Sequence, residues 1–131
     1  MARGSAGLLV LCVALLIGGC GSRRADSSRQ NVPDAERFVD LLAKGDFSDA
    51  SQRFDETMRQ ALPPAKLQDA WTAVVGQSGP FRKRLETRTA REQGFDAVYV
   101  TCQFEKSALA VKVVFDGSHR ITGLWFVPPS A

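Results

Sequence analysis

The fold is decided by residues 95–115, which read FDAVYVTCQFEKSALAVKVVF. Two runs of alternating apolar residues flank Glu105-Lys106, a dipeptide with the length of a two-residue hairpin turn. A turn there pairs Phe104 with Ser107, Cys102 with Leu109, Val100 with Val111 and Val98 with Val113, and all four pairs share one face. The stretch therefore predicts an antiparallel hairpin with one apolar face that packs in the core.

One further strand is predicted on each side of this hairpin. Residues 81–88 form one ahead of it, and residues 120–127 form the other behind it, before two prolines end the fold. A turn around Gly117-Ser118 places Val111 beside Leu124 and Leu109 beside Phe126. The second half of the chain is therefore predicted to be an antiparallel meander of about four strands.

The residues ahead of the strands have the period of helices. Pro33 suits a first helical turn, and Gly45 suits the end of that helix. Shorter helices are predicted after Ser48 and Asp55, whose side chains are typical of N-caps, and a last helix begins at Pro64. N-terminal helices packed on a curved antiparallel sheet give an α+β fold.

The opposite face of the meander is neither an ordinary core face nor an ordinary polar surface. It carries small, polar and large apolar residues together: Tyr99, Thr101, Gln103, Ala108, Ala110, Lys112, Val114, Ile121, Gly123 and Trp125. Small residues beside an exposed tryptophan and isoleucine favour a contact surface between proteins, such as a sheet-to-sheet homodimer. A solvated face with scattered apolar residues is the equal alternative.

Six residues are candidates for a pocket or an interface: Trp71, Tyr99, Thr101, Gln103, Lys112 and Trp125. Trp71 lies on an apolar helix face, where it belongs to the core or to a pocket wall. The polar residues Tyr99, Thr101, Gln103 and Lys112 line a pocket only if their face of the sheet is the concave one, which the alternation leaves open.

The N-terminus has the pattern of a lipoprotein export signal. Residues 8–17 are apolar but fall short of the roughly 20 that a membrane-spanning helix needs. They lead into Ile17-Gly18-Gly19-Cys20, a lipobox. We expect residues 1–19 to be a cleaved signal peptide, residues 20–31 to be an acylated Cys20 with a flexible tether, and residues 32–131 to be one domain. The lipid on Cys20 then holds the chain at a bacterial membrane, facing the periplasm or on the cell surface.

The mature chain is weakly charged. The formal net charge is +3, and Arg3 leaves with the signal peptide, so the mature net charge is +2. This value is too small to indicate nucleic acid as a partner. Strand alternation puts Arg82, Arg84 and Arg88 on one side, which favours either contact with anionic lipid headgroups or, more ordinarily, an edge strand protected from aggregation.

The catalytic candidates are weak. His119, the only histidine, lies in a turn with Asp116 and is expected to be exposed and directed away from any pocket. Cys102 shares its face with valines and is expected to be buried and protonated. One histidine without clustered acids does not make a metal shell, and no cofactor is expected.

Particular residues add a family resemblance. They are Ala35-Glu36-Arg37-Phe38-Val39, Lys44-Gly45-Asp46-Phe47, Phe54-Asp55, Met58, Leu67, Trp71, Gly79-Pro80-Phe81, Val113-Val114-Phe115-Asp116 and Ile121-Thr122-Gly123-Leu124. In this order, between residues 33 and 128, they resemble the bacterial domain-of-unknown-function family numbered 3887. The resemblance implies a cone-shaped fold related to nuclear transport factor 2, in which helices pack into the concave side of a bent sheet. It implies no reaction.

These observations favour a non-enzymatic binding or accessory domain of the cell envelope. Its ligand is expected to be a small apolar molecule held between helices and sheet, or another envelope protein. Two alternatives stay open: a small cone-fold enzyme of isomerase or hydrolase type, and an assembly subunit that acts through the outer sheet face. An open pocket with a buried carboxylate or tyrosine favours the enzyme, whereas a filled cone with an apolar outer patch favours assembly.

Overall fold

A computed structural model describes residues 22–129 as helices followed by strands. The helices are α1 (Ser22–Lys44), α2 (Phe47–Ser51), α3 (Glu56–Ala61) and α4 (Pro64–Ser78), and the strands are β1 (Phe81–Glu92), β2 (Phe95–Phe104), β3 (Ala108–Phe115) and β4 (Ile121–Val127). The strands form one curved, open antiparallel sheet in the order β1-β2-β3-β4. The α+β class predicted from the sequence is therefore confirmed.

The central hairpin has the predicted register. Val98 pairs with Val113, Val100 with Val111, and Cys102 with Leu109. Across the turn, the backbone N–H of Phe104 donates to the carbonyl of Ser107 at 2.9 Å. The valines and Cys102 are fully buried against the helices. We call this helix-covered side of the sheet the inner face and the opposite side the outer face.

The pairing of β3 with β4 differs from the prediction by two residues. Val111 lies opposite Phe126, and Val113 lies opposite Leu124. The predicted pairs of Val111 with Leu124 and of Leu109 with Phe126 are wrong, because the turn over residues 116–120 is one residue longer than expected and an extra residue in β4, Thr122, adds the second. The apolar residues still lie on the inner face, because a two-residue shift in register preserves the side to which each side chain points.

A bulge at the start of β4 changes one assignment. Phe115 pairs with Ile121, and Val114 pairs with Gly123, which leaves Thr122 as an extra residue between the two pairs. Ile121 therefore turns to the inner face, where it is buried in the core, and its predicted place on the outer face is wrong.

Strand β1 is longer and less regular than predicted. It extends to Glu92, beyond the predicted end at residue 88, and its pairing with β2 is irregular at two places. Arg84 pairs with Cys102 of the inner face, whereas Arg88 pairs with Tyr99 of the outer face. The prediction that Arg82, Arg84 and Arg88 share one side is therefore wrong, because an irregularity between two residues changes the side of those that follow.

Acidic residues of the same chain pair with two of these arginines and with a third arginine of β1, Arg91. Arg82 lies 3.6 Å from Glu105, Arg84 lies 2.9 Å from Asp40 of α1, and Arg91 lies 2.9 Å from Asp96. These ion pairs favour the structural explanation of the basic strand over a lipid-binding one.

Helix α1 begins earlier than predicted. The sequence predicts a start near Pro33 and an irregular segment before it, but the structure has a helix from Ser22 with Pro33 in its interior. The expectation of irregular backbone over residues 22–31 is therefore wrong, and Asn31 is completely buried. The anchoring role of residues 20–31 stays a prediction. Within residues 22–129, no helix is both long and apolar enough to cross a membrane.

The other helix ends follow from local chemistry. The Asp55 carboxylate accepts the backbone N–H of Met58 at 2.8 Å and caps α3 as predicted. Helix α4 starts at Pro64 and ends at Ser78, and the next residue, Gly79, has a φ of +87°, which favours glycine. Helix α2 begins at Phe47 with Asp46 in the cap position, so the cap predicted at Ser48 is wrong by two residues.

An aromatic cluster joins α4 to the inner face of the sheet. The Trp71 ring lies 5.6 Å from that of Phe104 and 6.2 Å from those of Phe81 and Phe126, and its side chain is 7% exposed. Tilted rings at these separations gain energy beyond the burial of their area. The structure thus places Trp71 in the core.

The first prediction concerns this cluster. We expect Phe104→Ala to lower the free energy of unfolding by about 3–5 kcal/mol, because it removes a fully buried ring and leaves a cavity. Phe95→Ala is the matched control, since Phe95 is 43% exposed on the same strand. Urea unfolding followed by tryptophan fluorescence measures both, and equal losses for the two variants would contradict this description of the core.

Candidate functional site

The outer face carries a row of four side chains that crosses the whole sheet. Arg88 of β1 pairs with Tyr99 of β2, Tyr99 pairs with Lys112 of β3, and Lys112 pairs with Trp125 of β4. The Arg88 guanidinium carbon lies 3.8 Å from the centroid of the Tyr99 ring, and the Lys112 Nζ lies 5.1 Å from that of Trp125. Cations at these distances are attracted to the ring faces. We call these four residues the ladder.

Glu92 connects the middle of the ladder. Its Oε1 accepts a hydrogen bond from Lys112 Nζ at 2.7 Å, and its Oε2 accepts one from the Tyr99 hydroxyl. The hydrogen bonds from Lys112 and Tyr99 lower the pKa of Glu92, and the bond to Glu92 raises the pKa of Lys112. Both groups are therefore held in their charged forms at neutral pH.

Beside the ladder runs a row of small residues, Ala90, Ala97, Val114 and Gly123. A Cβ placed on Gly123 would overlap the indole ring of Trp125, so the absence of a side chain lets this ring lie on the sheet. A cleft of about 320 Å³ opens at Val114 of this row, and Trp125 and Phe95 are among its other lining residues. Trp125 is 50% exposed, so the cleft has an accessible aromatic wall.

The predicted site residues are brought together only in part. Tyr99, Lys112 and Trp125 form three members of the ladder. Thr101 lies one row away, opposite Ala110, and is half-buried. The Gln103 amide donates to the carbonyls of Phe104 and Ser107, so it secures the β2–β3 turn. Trp71 packs in the core on the other side of the sheet.

Sequence reasoning missed Glu92 because it ended β1 too early. It also left Arg88 and Phe95 out of this surface, although it placed both in strands. The signal was Gln93-Gly94, a two-residue turn of the kind that adopts positive φ at both positions. These φ angles are +53° and +84°, and Glu92 pairs with Phe95 across the turn.

Cys102 and His119 lie outside the ladder and its cleft. Burial raises the pKa of Cys102 to about 12, so this thiol stays protonated, as the sequence predicts. His119 is exposed as predicted, but it lines a cleft of about 240 Å³, so the prediction that it faces away from any pocket is wrong. Within residues 22–129, no three potential ligands lie together as a metal site. Cys20 lies outside the described residues.

Comparison with known proteins returns one family. The family model described as "Protein of unknown function (DUF3887)" matches residues 35–124, which include α1 from Ala35 and reach into β4. No curated protein and no solved structure matches the chain.

The second prediction concerns Glu92. Its pKa in the folded chain lies below the ordinary value of 4.5, so its contribution to stability is present above that pH and is lost as the pH falls through the lowered pKa. We expect wild type to be more stable than Glu92→Gln at neutral pH, and this difference to shrink below about pH 4.5. Because Glu92 is solvent-accessible, the difference should be small.

Urea unfolding at several pH values measures this difference. Glu86→Gln is the matched control, because Glu86 is an exposed carboxylate on the same strand. A stability difference for Glu92→Gln that does not change between neutral and acidic pH would show that its charge plays no part in the ladder.

Proposed function

The chain belongs to the DUF3887 family of proteins of unknown function, and we propose that it is a binding domain of the bacterial cell envelope that acts through the outer face of its sheet. The ladder and its cleft carry this proposal. Trp125 is 50% exposed and Phe95 is 43% exposed on the same face, whereas the inner face is filled by the core. Exposed aromatic residues next to small ones are typical of contact surfaces.

The charges in the cleft support binding over acid–base catalysis. Glu92 and Lys112 both line it, and each is the other's hydrogen-bonding partner. The pKa of Glu92 is lowered and that of Lys112 is raised, so both move away from neutral pH. A general acid or base works best with a pKa near the working pH, and this pair is shifted in the opposite sense.

The partner that fits this surface is a second copy of the chain. The ladder has the order cation, aromatic, cation, aromatic across the sheet. A two-fold axis that lies between two facing sheets, parallel to their strands, reverses this order in the second copy. Each cation of one copy then faces an aromatic ring of the other, which makes the surface self-complementary.

We further propose that a lipid on Cys20 holds the domain at the membrane. The lipobox at residues 17–20 supports this, and two or more acyl chains suffice for stable anchoring. The domain then faces the periplasm or the cell surface, where anchoring in one plane raises its local concentration and favours association between copies.

The third prediction tests self-association. Native mass spectrometry of the full chain in neutral detergent should show a dimer, and Trp125→Glu should weaken dimerisation by about tenfold or more, as removal of a central aromatic contact does. Gln68→Glu is the matched control, because it adds the same charge to an exposed position of α4.

Two outcomes would contradict the dimer. One is a wild-type chain that stays monomeric at every concentration, and the other is equal dissociation by both variants. A monomer that carries a bound small molecule would favour instead the ligand-binding alternative.

The fourth prediction tests the anchor. The mass of the N-terminal peptide that starts at Cys20 should exceed that of its amino acids by the mass of the acyl groups, and Cys20→Ser should release the chain from the membrane fraction. Cys102→Ser changes a buried cysteine and should leave membrane attachment unaltered. Wild-type chain in the soluble fraction with an intact residue 1–19 segment would contradict the proposal.

A further inference from the structure

A chain of polar contacts fixes the imidazole of His119. Its Nδ1 lies 2.9 Å from Oδ1 of Asn31, a residue of α1 that is completely buried. The Asn31 amide nitrogen in turn donates to Oδ2 of Asp96 at 3.5 Å, and Arg91 donates to Oδ1 of Asp96 at 2.9 Å. The chain connects the β3–β4 turn to α1 and to β2, three elements that are distant in the sequence.

The direction of these hydrogen bonds decides the tautomer of His119. The Asn31 side chain uses its N–H group towards Asp96, so its oxygen faces the imidazole and acts as an acceptor. The imidazole then carries its proton on Nδ1, which leaves Nε2 unprotonated and directed to a ligand by its lone pair. A histidine held in this way presents one defined atom to a ligand.

The turn around His119 is also fixed. Oδ1 of Asp116 accepts the backbone N–H groups of Ser118 and Arg120 at 2.8 and 3.0 Å. His119 itself has a φ of +62°, which is uncommon for a residue with a side chain. A conformation of this kind persists where its surroundings enforce it, and it often marks a functional position.

Two arginines share the cleft of His119. Arg53 and Arg120 line its space of about 240 Å³ with His119, Gln52 and Ser118. The backbone carbonyl of Arg53 accepts the N–H of Ile121 at 2.9 Å, which fixes the two arginine positions side by side. Arg53 also lies 3.2 Å from Asp34, and a guanidinium with five N–H groups keeps donors for a second partner.

The acidic residues near this cleft either bind other groups or line a different cleft. Asp34 pairs with Arg53, and Asp116 accepts backbone N–H groups of its own turn. Asp55 and Glu56 line a separate cleft that Arg120 also borders. The lining of this cleft therefore supplies two guanidinium groups and the hydroxyl of Ser118, which are donors that phosphate groups prefer. The imidazole of His119 becomes a further donor when Nε2 also takes up a proton.

We propose that Arg53, His119 and Arg120 form a binding site for a phosphate group, carried either by a soluble phosphate ester or by an anionic lipid headgroup. The position favours the headgroup as a source. Asn31 lies nine residues after Ser22 in α1, about 14 Å along the helix at about 1.5 Å per residue, and Ser22 follows Cys20 closely. Only the lipid source rests on the proposed anchor, because free phosphate reaches the site without it.

The single histidine makes the fifth prediction directly measurable, because the imidazole nitrogens of the ¹⁵N-labelled full chain give one set of signals. In neutral detergent without added phosphate, we expect the Nδ1–H tautomer. Inorganic phosphate should shift these signals saturably at constant ionic strength, whereas chloride should not.

Two variants distinguish a specific phosphate site from a general effect of positive charge. Arg120→Gln should weaken the phosphate effect by about tenfold or more, because it removes a charge-assisted hydrogen bond. Lys66→Gln removes an exposed cation of α4 that does not line the cleft and should leave the effect unchanged. Retention of the Nδ1–H signal in Arg120→Gln shows that this variant is folded around His119.

The source is distinguished by two additions. Glycerol phosphate tests a soluble ester, and phosphatidylglycerol incorporated into the micelles tests the headgroup. A compound that shifts the imidazole signals as phosphate does, and does so less in Arg120→Gln, supports the site. It also shows whether the phosphate group comes from a soluble ester or from a lipid headgroup. The absence of a saturable phosphate shift, or an equal effect in Arg120→Gln and wild type, would overturn the proposal whether or not the chain is anchored or dimeric.

Discussion

The pairing of β2 with β3 is the constraint on which the other features of this molecule depend. Its register puts Val98, Val100 and Cys102 on the side of the helices together with Val111 and Val113. Because side chains alternate along a strand, the same register necessarily puts Tyr99 beside Lys112 on the other side. The hydrophobic energy that fixes the core therefore also positions the middle of the ladder, and a slip of one residue would destroy both at once.

Irregularities in the edge strands β1 and β4 change the face of the sheet to which some residues point. The irregular start of β1 lets Arg84 reach Asp40 and Glu36 of α1, while Arg88 lies over Tyr99 on the outer face. The bulge at Thr122 has a similar effect in β4. It turns Ile121 into the core, where its backbone binds the segment after α2, and so brings Arg53 next to the turn of His119. The irregularities thus add Arg88 to the ladder and bring Arg53 to the cleft of His119.

The alternation of residues 95–115 was sufficient to predict the central hairpin, its turn and the face that becomes core. It was not sufficient for Ile121 or Arg84, because a bulge depends on how an edge strand meets distant helices, and local periodicity carries no information about that contact. The long-range polar contacts were equally hidden. Asn31 lies in a polar segment that reads as a tether, and only the fold brings it to His119, 88 residues away. Of the candidate site, Tyr99, Lys112 and Trp125 were predictable from alternation, and Glu92 required recognition of the Gln93-Gly94 turn.

The central claim is that the outer face meets a second copy of the chain at the membrane. Site-specific photocrosslinking in intact bacteria tests it most directly, with a photoreactive residue at Thr101, one row from the ladder, or at Gln68 of α4. We expect a crosslinked dimer from position 101 and none from position 68. Absence of a dimer from position 101, or an equal yield from both positions, would contradict the assignment of the outer face as the contact surface.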